Sequence, residues 1–290
     1  MKLGITHCNV GRLAHPEPAA VLALQAEAAG IESLWTVDHI AFPDHIVTRY
    51  PETPDGKLPF PPDTALAEPL IWMSHVAAHT VKVKLGTAVV VAPQRETLLL
   101  AKQLASLDVI TKGRLIAGFG VGWMREEFEA VGAAFHRRGA ILDEQITALR
   151  GVWEGSAVAS GPLVRFERVH SHPRPTGGTV PIHIGGYSEV AARRAGNVGD
   201  GYFPGGYELN DRLTELIAVA RHHSIASGRC GPGLDVTARW TKDPEALGDR
   251  VFVERAAAIG IDRLVVPASL FEGPHGPERL AQAVETVRTI

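Results

Sequence analysis

The sequence predicts a (β/α)8 TIM barrel, an α/β fold whose working site lies at the carboxyl ends of the strands. Three observations predict it. Short β-branched or apolar runs alternate with amphipathic helical stretches along the 290 residues. Runs such as Ala88-Val89-Val90-Val91 are apolar on both faces, as a parallel strand covered on both sides requires. None of the eight strand candidates reads as a polar edge, which favours a closed barrel over the runner-up, an open doubly wound sheet.

The elements follow in order. Residues 2–6 form the first strand candidate, and a helix runs from about 18 to 29 before Gly30, which accepts the left-handed conformation that ends a helix. Residues 33–37 are the second strand, 82–91 the third, and 97–110 a helix. Strands at 114–119, 182–184, 201–203, 235–238 and 263–266 complete the eight. Helices at 190–195, 210–227, 244–259 and 278–289 fill the later gaps. Strands separated by helices pair in parallel through crossovers.

Two segments interrupt the rhythm of what reads as one domain spanning 1–290. Residues 41–67 hold Pro43, Pro51, Pro54, Pro59, Pro61 and Pro62 without a helical period. They form an insertion after the second strand, on the active-site side, and a loop of this length is usually functional. Residues 153–181 form a second insertion after the fourth βα unit, where runs at 158–159 and 163–166 flank Ser160-Gly161-Pro162 as a small hairpin.

Composition narrows the function classes. Hydrophobic residues at 45% and charged residues at 21% support a large core. A net charge of −3 gives no footprint for nucleic acid or an acidic membrane surface. Cys8 and Cys230 are the only cysteines, and MKLGITHCNV lacks the apolar stretch of a signal peptide, so a reducing cytoplasm is expected. No apolar run is long enough to span a bilayer.

The strand ends should converge on one pocket. They supply His7, Cys8 and Asn9; Asp38 and His39; Gln94 and Arg95; Gly118 through Trp123; Gly185 to Ser188; Pro204 to Gly206; Arg239 and Trp240; and Pro267. Three ends are glycine-rich. Glycine lets backbone N–H groups approach a ligand, and helix amino termini attract anions. Gly185-Gly186, followed by Ser188 and a helix, is the clearest such cradle, although any one of these loops alone could be only a tight turn. Asp38-His39 is the most pointed polar pair; a histidine after a strand can donate a proton or a hydrogen bond. Metal-ligand spacing, a strand-end lysine and a nucleophile elbow are all missing from the sequence, so no metal is expected. An anion cradle with few hydrolytic groups favours a cofactor that carries the chemistry itself.

From end to end the chain resembles the luciferase-like flavin and deazaflavin oxidoreductases. The resemblance rests on GIESLWTVDHI (30–40), on LGTAVVVAPQRETLLLAKQLASLDVITKGRLIAGFGVGWMREEFEAVG (85–132) and on PIHIGGYSEVAARRAGNVGDGYFPGG (181–206). TRYPETPDGKLPFPPDT (48–64) is similar to the subgroup of coenzyme F420-dependent oxidoreductases. The resemblance implies a TIM barrel with Asp38 and His39 beside the isoalloxazine ring, as cofactor contacts and catalytic residues. It implies a non-prolyl cis peptide at Ala88-Val89 under the ring, and a cofactor wall of Gly120, Gly122 and Trp123. Gly185, Gly186 and Ser188 would form the phosphate loop and Gly205 a further tail contact. Asn9, Tyr50 and Phe60 would serve the substrate and lid. The implied cofactor is F420, with FMN as the alternative; the implied partners are a small organic substrate and, by family analogy, a second copy in a homodimer. Three functions stay open: F420-dependent hydride transfer, FMNH2-dependent monooxygenation, and a barrel that binds such a ligand without turnover.

Overall fold

The computed structural model describes residues 1–58, 60–206, 208–229 and 233–288. Cys230, Pro59 and the expected end of the last helix at Thr289 lie outside the described residues. The chain runs β1 (Lys2–Thr6), α1 (Pro16–Ala29), β2 (Ser33–Thr36), α2 (Pro69–Ala77), β3 (Lys84–Thr87), β4 (Val90–Val91) and α3 (Thr97–Thr111). It continues through β5 (Leu115–Gly120), α4 (Arg125–Ala130), α5 (Arg138–Glu154), β6 (Ser156–Ser160), β7 (Arg165–His170), β8 (Ile182–Gly185) and α6 (Glu189–Val198). It ends with β9 (Gly201–Phe203), α7 (Asp211–Ala226), β10 (Asp235–Arg239), α8 (Arg250–Ala258), β11 (Arg263–Pro267) and α9 (Gly276–Arg288).

The sheet closes. Its order is β3-β2-β1-β11-β10-β9-β8-β5-β4, and β3 also pairs with β5. All these pairings are parallel. β3 and β4 are two pieces of one barrel strand, because both pair with β5 in sequence: Leu85 and Gly86 with Leu115 and Ile116, then Val90 and Val91 with Phe119 and Gly120. Eight barrel positions result, and the open sheet is excluded.

Several boundaries differ from the expectation. The third strand is not continuous over 82–91, since Ala88-Val89 interrupts it. Trp153 belongs to α5, so the second insertion begins after Glu154; it holds the expected hairpin, β6 paired antiparallel with β7. The expected helix at 244–259 is a 3-10 turn, Pro244–Gly248, followed by α8, whose N-cap Asp249 accepts from the Phe252 N–H at 2.9 Å. α2, α4 and α5 are additional. Gly30 ends α1 as expected, at φ 84°.

Two layers of core follow from strand alternation. Outward residues such as Leu34, Ala117, Ile184, Val236 and Leu264 pack under the helices. Inward residues Trp35, Ala88, Ile116, Phe203 and Val265 fill the barrel. Trp35 fits because Gly86 has no side chain; a Cβ there would come 2.4 Å from the indole.

The amino-terminal end of the barrel is plugged by a charge. Arg263 is fully buried and donates to Glu32 twice, at 2.7 and 3.0 Å, to Thr237 Oγ1 at 2.7 Å and to Asp235 at 3.1 Å. Its guanidinium lies 5.4 Å from the Trp35 ring centre. Burial works to raise the Glu32 pKa, yet the bonds and charge of Arg263, with Ser33 and Lys84, bring it down to about 2. With this end sealed, the opposite end is the open mouth.

Arg263→Leu should therefore cost about 3–5 kcal/mol at neutral pH, because it removes the buried cation shared by two carboxylates and leaves each only an exposed lysine, Lys84 for Glu32 and Lys2 for Asp235. Glu32 is depressed in the folded state, so its contribution is present above the ordinary 4.5 and fades as pH falls toward about 2. Urea unfolding at several pH values should show the wild-type advantage shrinking across that window; parallel curves would contradict the assignment.

Candidate active site

The mouth is built from strand ends, beginning with β2. Asp38 and His39 follow it after Val37, and neighbours on an extended chain face opposite ways. The structure therefore separates them. Asp38 is 6% exposed. Its carboxylate takes both arms of the Arg95 guanidinium, at 2.6 and 2.9 Å, and the Val91 N–H at 2.8 Å. Such a bidentate pair fixes orientation as well as charge. Asp38 thus braces the end of β2 against the end of β4.

His39 turns to another partner. Its Nδ1 lies 3.0 Å from Glu127 Oε2. Glu127 is 1% exposed and also accepts from the Ile40 N–H at 2.6 Å and the Ala41 N–H at 3.4 Å. Burial works to raise its pKa, but the His39 bond and charge, Gln94 and the Ile40 amide lower it overall. A carboxylate cannot donate, so His39 Nδ1 must carry the proton in this contact. Nε2 has no hydrogen-bond partner among the described residues.

The adjacent Glu126 holds the next stretch of the lid, accepting from the Val47 and Thr48 amides at 2.8 and 2.9 Å. The lid crosses the mouth through aromatic contacts. Phe42 lies 4.6 Å from His39 and 5.6 Å from Phe60, and Trp123 meets Tyr50 at 5.1 Å and His39 at 5.9 Å, edge to face. At its tip Glu52 accepts from Tyr50 Oη at 2.9 Å and from Arg239. Asn9 ties the lid roots together: its amide donates to Val37 and Ala67 carbonyls at 2.8 and 2.6 Å and accepts from the Val37 N–H at 2.9 Å.

Below the lid, the Ala88-Val89 peptide is cis. The Val89 side chain projects between Gly120 and Gly185, where a Cβ would meet its methyls at 2.4 and 2.6 Å. Gly122, at φ 78°, lets β5 turn beneath Trp123. At the end of β8, Gly186 takes φ 135°; its N–H donates to Phe203 and its carbonyl accepts from Tyr202 Oη at 2.8 Å. Ser188 caps α6, accepting from the Ala191 N–H at 3.2 Å. Gly205 lies beside the lid tip, with Glu52 Oε1 at 3.4 Å from its Cβ position.

The chemistry of these groups would suit a planar heteroaromatic ring with an anionic tail: Val89 between Gly120 and Gly185 would give an apolar bed, His39 and Trp123 a wall, and the capped ten-residue helix a positive end at the rim. Cys8 is no nucleophile, because it is buried and its thiol is pushed up to about 12 by that burial. Among the described residues no three His, Cys, Asp or Glu side chains stand together as a metal site. No helix there is long and apolar enough to cross a membrane.

Sequence reasoning missed Glu127, Glu126 and Glu52, and took Arg95 only as a strand end. The available signal was Arg125-Glu126-Glu127 directly after a glycine-rich βα turn, but acidic residues in a first helical turn ordinarily read as dipole partners.

The luciferase-like monooxygenase family model matches residues 4–286. A Mycobacterium tuberculosis protein of unassigned function is 32% identical over 212 residues, 73% of each chain. An F420-dependent glucose-6-phosphate dehydrogenase of Kineococcus radiotolerans is 30% identical over 228 residues, 77% of this chain and 62% of that one. An FMNH2-dependent dimethylsulfone monooxygenase of Pseudomonas fluorescens is 32% identical over 160 residues, 52% and 43% of the two chains. The solved structure of an F420-dependent secondary alcohol dehydrogenase, in complex with an F420-acetone adduct, has the same fold, with a TM-score of 0.81 over 99% of both chains at 17% identity.

Glu126→Ala should release the Val47 and Thr48 amides, raising their hydrogen exchange by about tenfold or more while barrel amides keep their protection. Unchanged exchange at 47–48 would show that the carboxylate does not tether the lid.

Proposed function

We propose that this chain, which belongs to the luciferase-like monooxygenase family and so to a family of oxidoreductases, uses coenzyme F420 to oxidise or reduce a small organic substrate. When bound, the deazaflavin supplies a ring carbon, C5, that gives or takes hydride. The observation that carries the reading is the His39–Glu127 pair under an aromatic lid. Glu127 holds Nδ1–H and leaves Nε2 to hydrogen-bond, or to exchange a proton with, the oxygen or nitrogen of an enone, imine or similar acceptor. Phe42, Tyr50 and Phe60 keep water from that exchange. Val89, Gly120 and Gly185 would bed the ring, Trp123 would wall it, and the first amides of α6, after Ser188, would receive the anionic tail, with Gly186, its N–H bonded to Phe203, turning the chain toward them. Asp38 acts through position, by holding Arg95 and the Val91 amide in register with β2. The F420 relative, matched over 77% of this chain, supports the choice of cofactor.

One observation favours a second reading. The FMNH2-dependent relative is as similar where it aligns, although over only 52% of the chain. In that reading the same residues would serve a reduced flavin that activates dioxygen.

Titrating the purified protein with F420 and with FMN, followed by fluorescence, separates the two. Saturable F420 binding is expected; tight FMN binding without an F420 response would overturn the first reading. His39→Ala should lower kcat about 10²–10⁴-fold, well beyond any loss of cofactor affinity from its place in the wall. Unchanged turnover would remove His39 from the chemistry.

A further inference from the structure

The proposed site uses one side of the barrel mouth. The bed, the wall and the anion-accepting helix start belong to β2, β4, β5 and β8. Further round the rim, β1 and β10, the two neighbours of β11, end in His7 and Arg239. Thr237 meets Arg263 inside the barrel, and side chains two apart on a strand share a face. Arg239, the last residue of β10, therefore projects into the same interior one layer higher, with its side chain 9% exposed. His7 follows β1 at φ 59°, and its Nδ1 is buried with no hydrogen-bond partner among the described residues. Burial, aided by the charge of Arg239, lowers the His7 pKa to about 4, so the imidazole is neutral.

The carboxylate facing Arg239 comes from the lid. Glu52 reaches down to the guanidinium from a side chain 34% exposed. Arg263 makes the contrast: its carboxylates, Glu32 and Asp235, sit on the barrel itself, and no other anion can replace them. At Arg239 an exchange is cheap. An incoming carboxylate or phosphate would leave the buried guanidinium paired and return Glu52 to water, so no charge is stranded. The guanidinium fork matches either anion.

We propose that Arg239, with His7 beside it, anchors a carboxylate or phosphate group of the substrate, and that Glu52 of the lid competes for the same guanidinium. An anionic substrate thus exchanges with the lid tip as it enters. This rests on the reading that a small molecule reacts at this mouth. It adds the class of that molecule and names a residue that selects it.

Calorimetric titration of the full chain with inorganic phosphate, and separately with malonate, tests this in the wild type, Glu52→Gln and Arg239→Gln. No turnover is needed, so the outcome does not depend on which redox cofactor the protein uses. Glu52→Gln should bind at least one anion about tenfold more tightly, and Arg239→Gln should lose that binding. The preferred anion assigns the substrate's group. Should Arg239→Gln fail to fold, Arg239→Lys keeps the charge without the fork and is expected to bind more weakly than wild type. Glu52→Gln affinities equal to or weaker than wild type for both anions would overturn the proposal and leave a structural latch. Equal anion affinities in Glu52→Gln and in the Glu52→Gln/Arg239→Gln double variant would also overturn it, because the start of α6 holds anions alike in both.

Discussion

The buried carboxylate of Glu127 organises the mouth of this barrel. A charge at 1% exposure persists only when donors surround it, and Glu127 finds three on the chain leaving β2: the His39 ring and the Ile40 and Ala41 amides. Those bonds decide where His39 stands, which of its nitrogens holds a proton, and where the lid begins. Glu126 precedes it on the same short helix, and adjacent helical residues point about 100° apart. One carboxylate therefore secures the root of the lid and the other its next stretch, at Val47 and Thr48.

The barrel makes this arrangement available. Parallel strands closed into a ring bring eight carboxyl ends to one rim, whatever their separation in sequence. The two ends of this barrel have separate tasks. At the amino-terminal end Arg263 pairs with Glu32 and Asp235 and ties together β10, β11 and the start of β2. At the carboxyl end the buried charges pair with the lid or its anchors: Asp38 with Arg95, Glu127 with His39, and Arg239 with Glu52. Stability is concentrated below and adaptability above.

Much of this was legible in the sequence, for physical reasons. Short runs apolar on both faces, set between helical stretches, specify a parallel fold, and Gly30 could be read because only glycine ends a helix cheaply at φ 84°. The glycine-rich strand ends and Asp38-His39 were visible as a rim. The long proline-rich insertion stood out because it has no helical period. α2 was obscured because Pro69–Ala77 is apolar almost all round and follows that insertion, so its periodicity is faint. The break at Ala88-Val89 left no mark in an apolar run that reads as one strand. Partners were the least legible feature. Arg95 lies 57 residues from Asp38, and Glu127 lies 88 from His39. Only the parallel pairing of β2 with β3 and of β3 and β4 with β5 brings them together, so two sequence neighbours meet different partners, Asp38 as a brace and His39 as a tethered imidazole.

The chemistry of the mouth turns on the proton that Glu127 holds on His39. Nitrogen-15 NMR of histidine-labelled protein reports it directly, with the resonance assigned by its loss in His39→Ala. The account predicts a protonated Nδ1 at neutral pH, and an altered Nδ1 signal in Glu127→Ala. A His39 ring with its proton on Nε2 and a bare Nδ1 would contradict it.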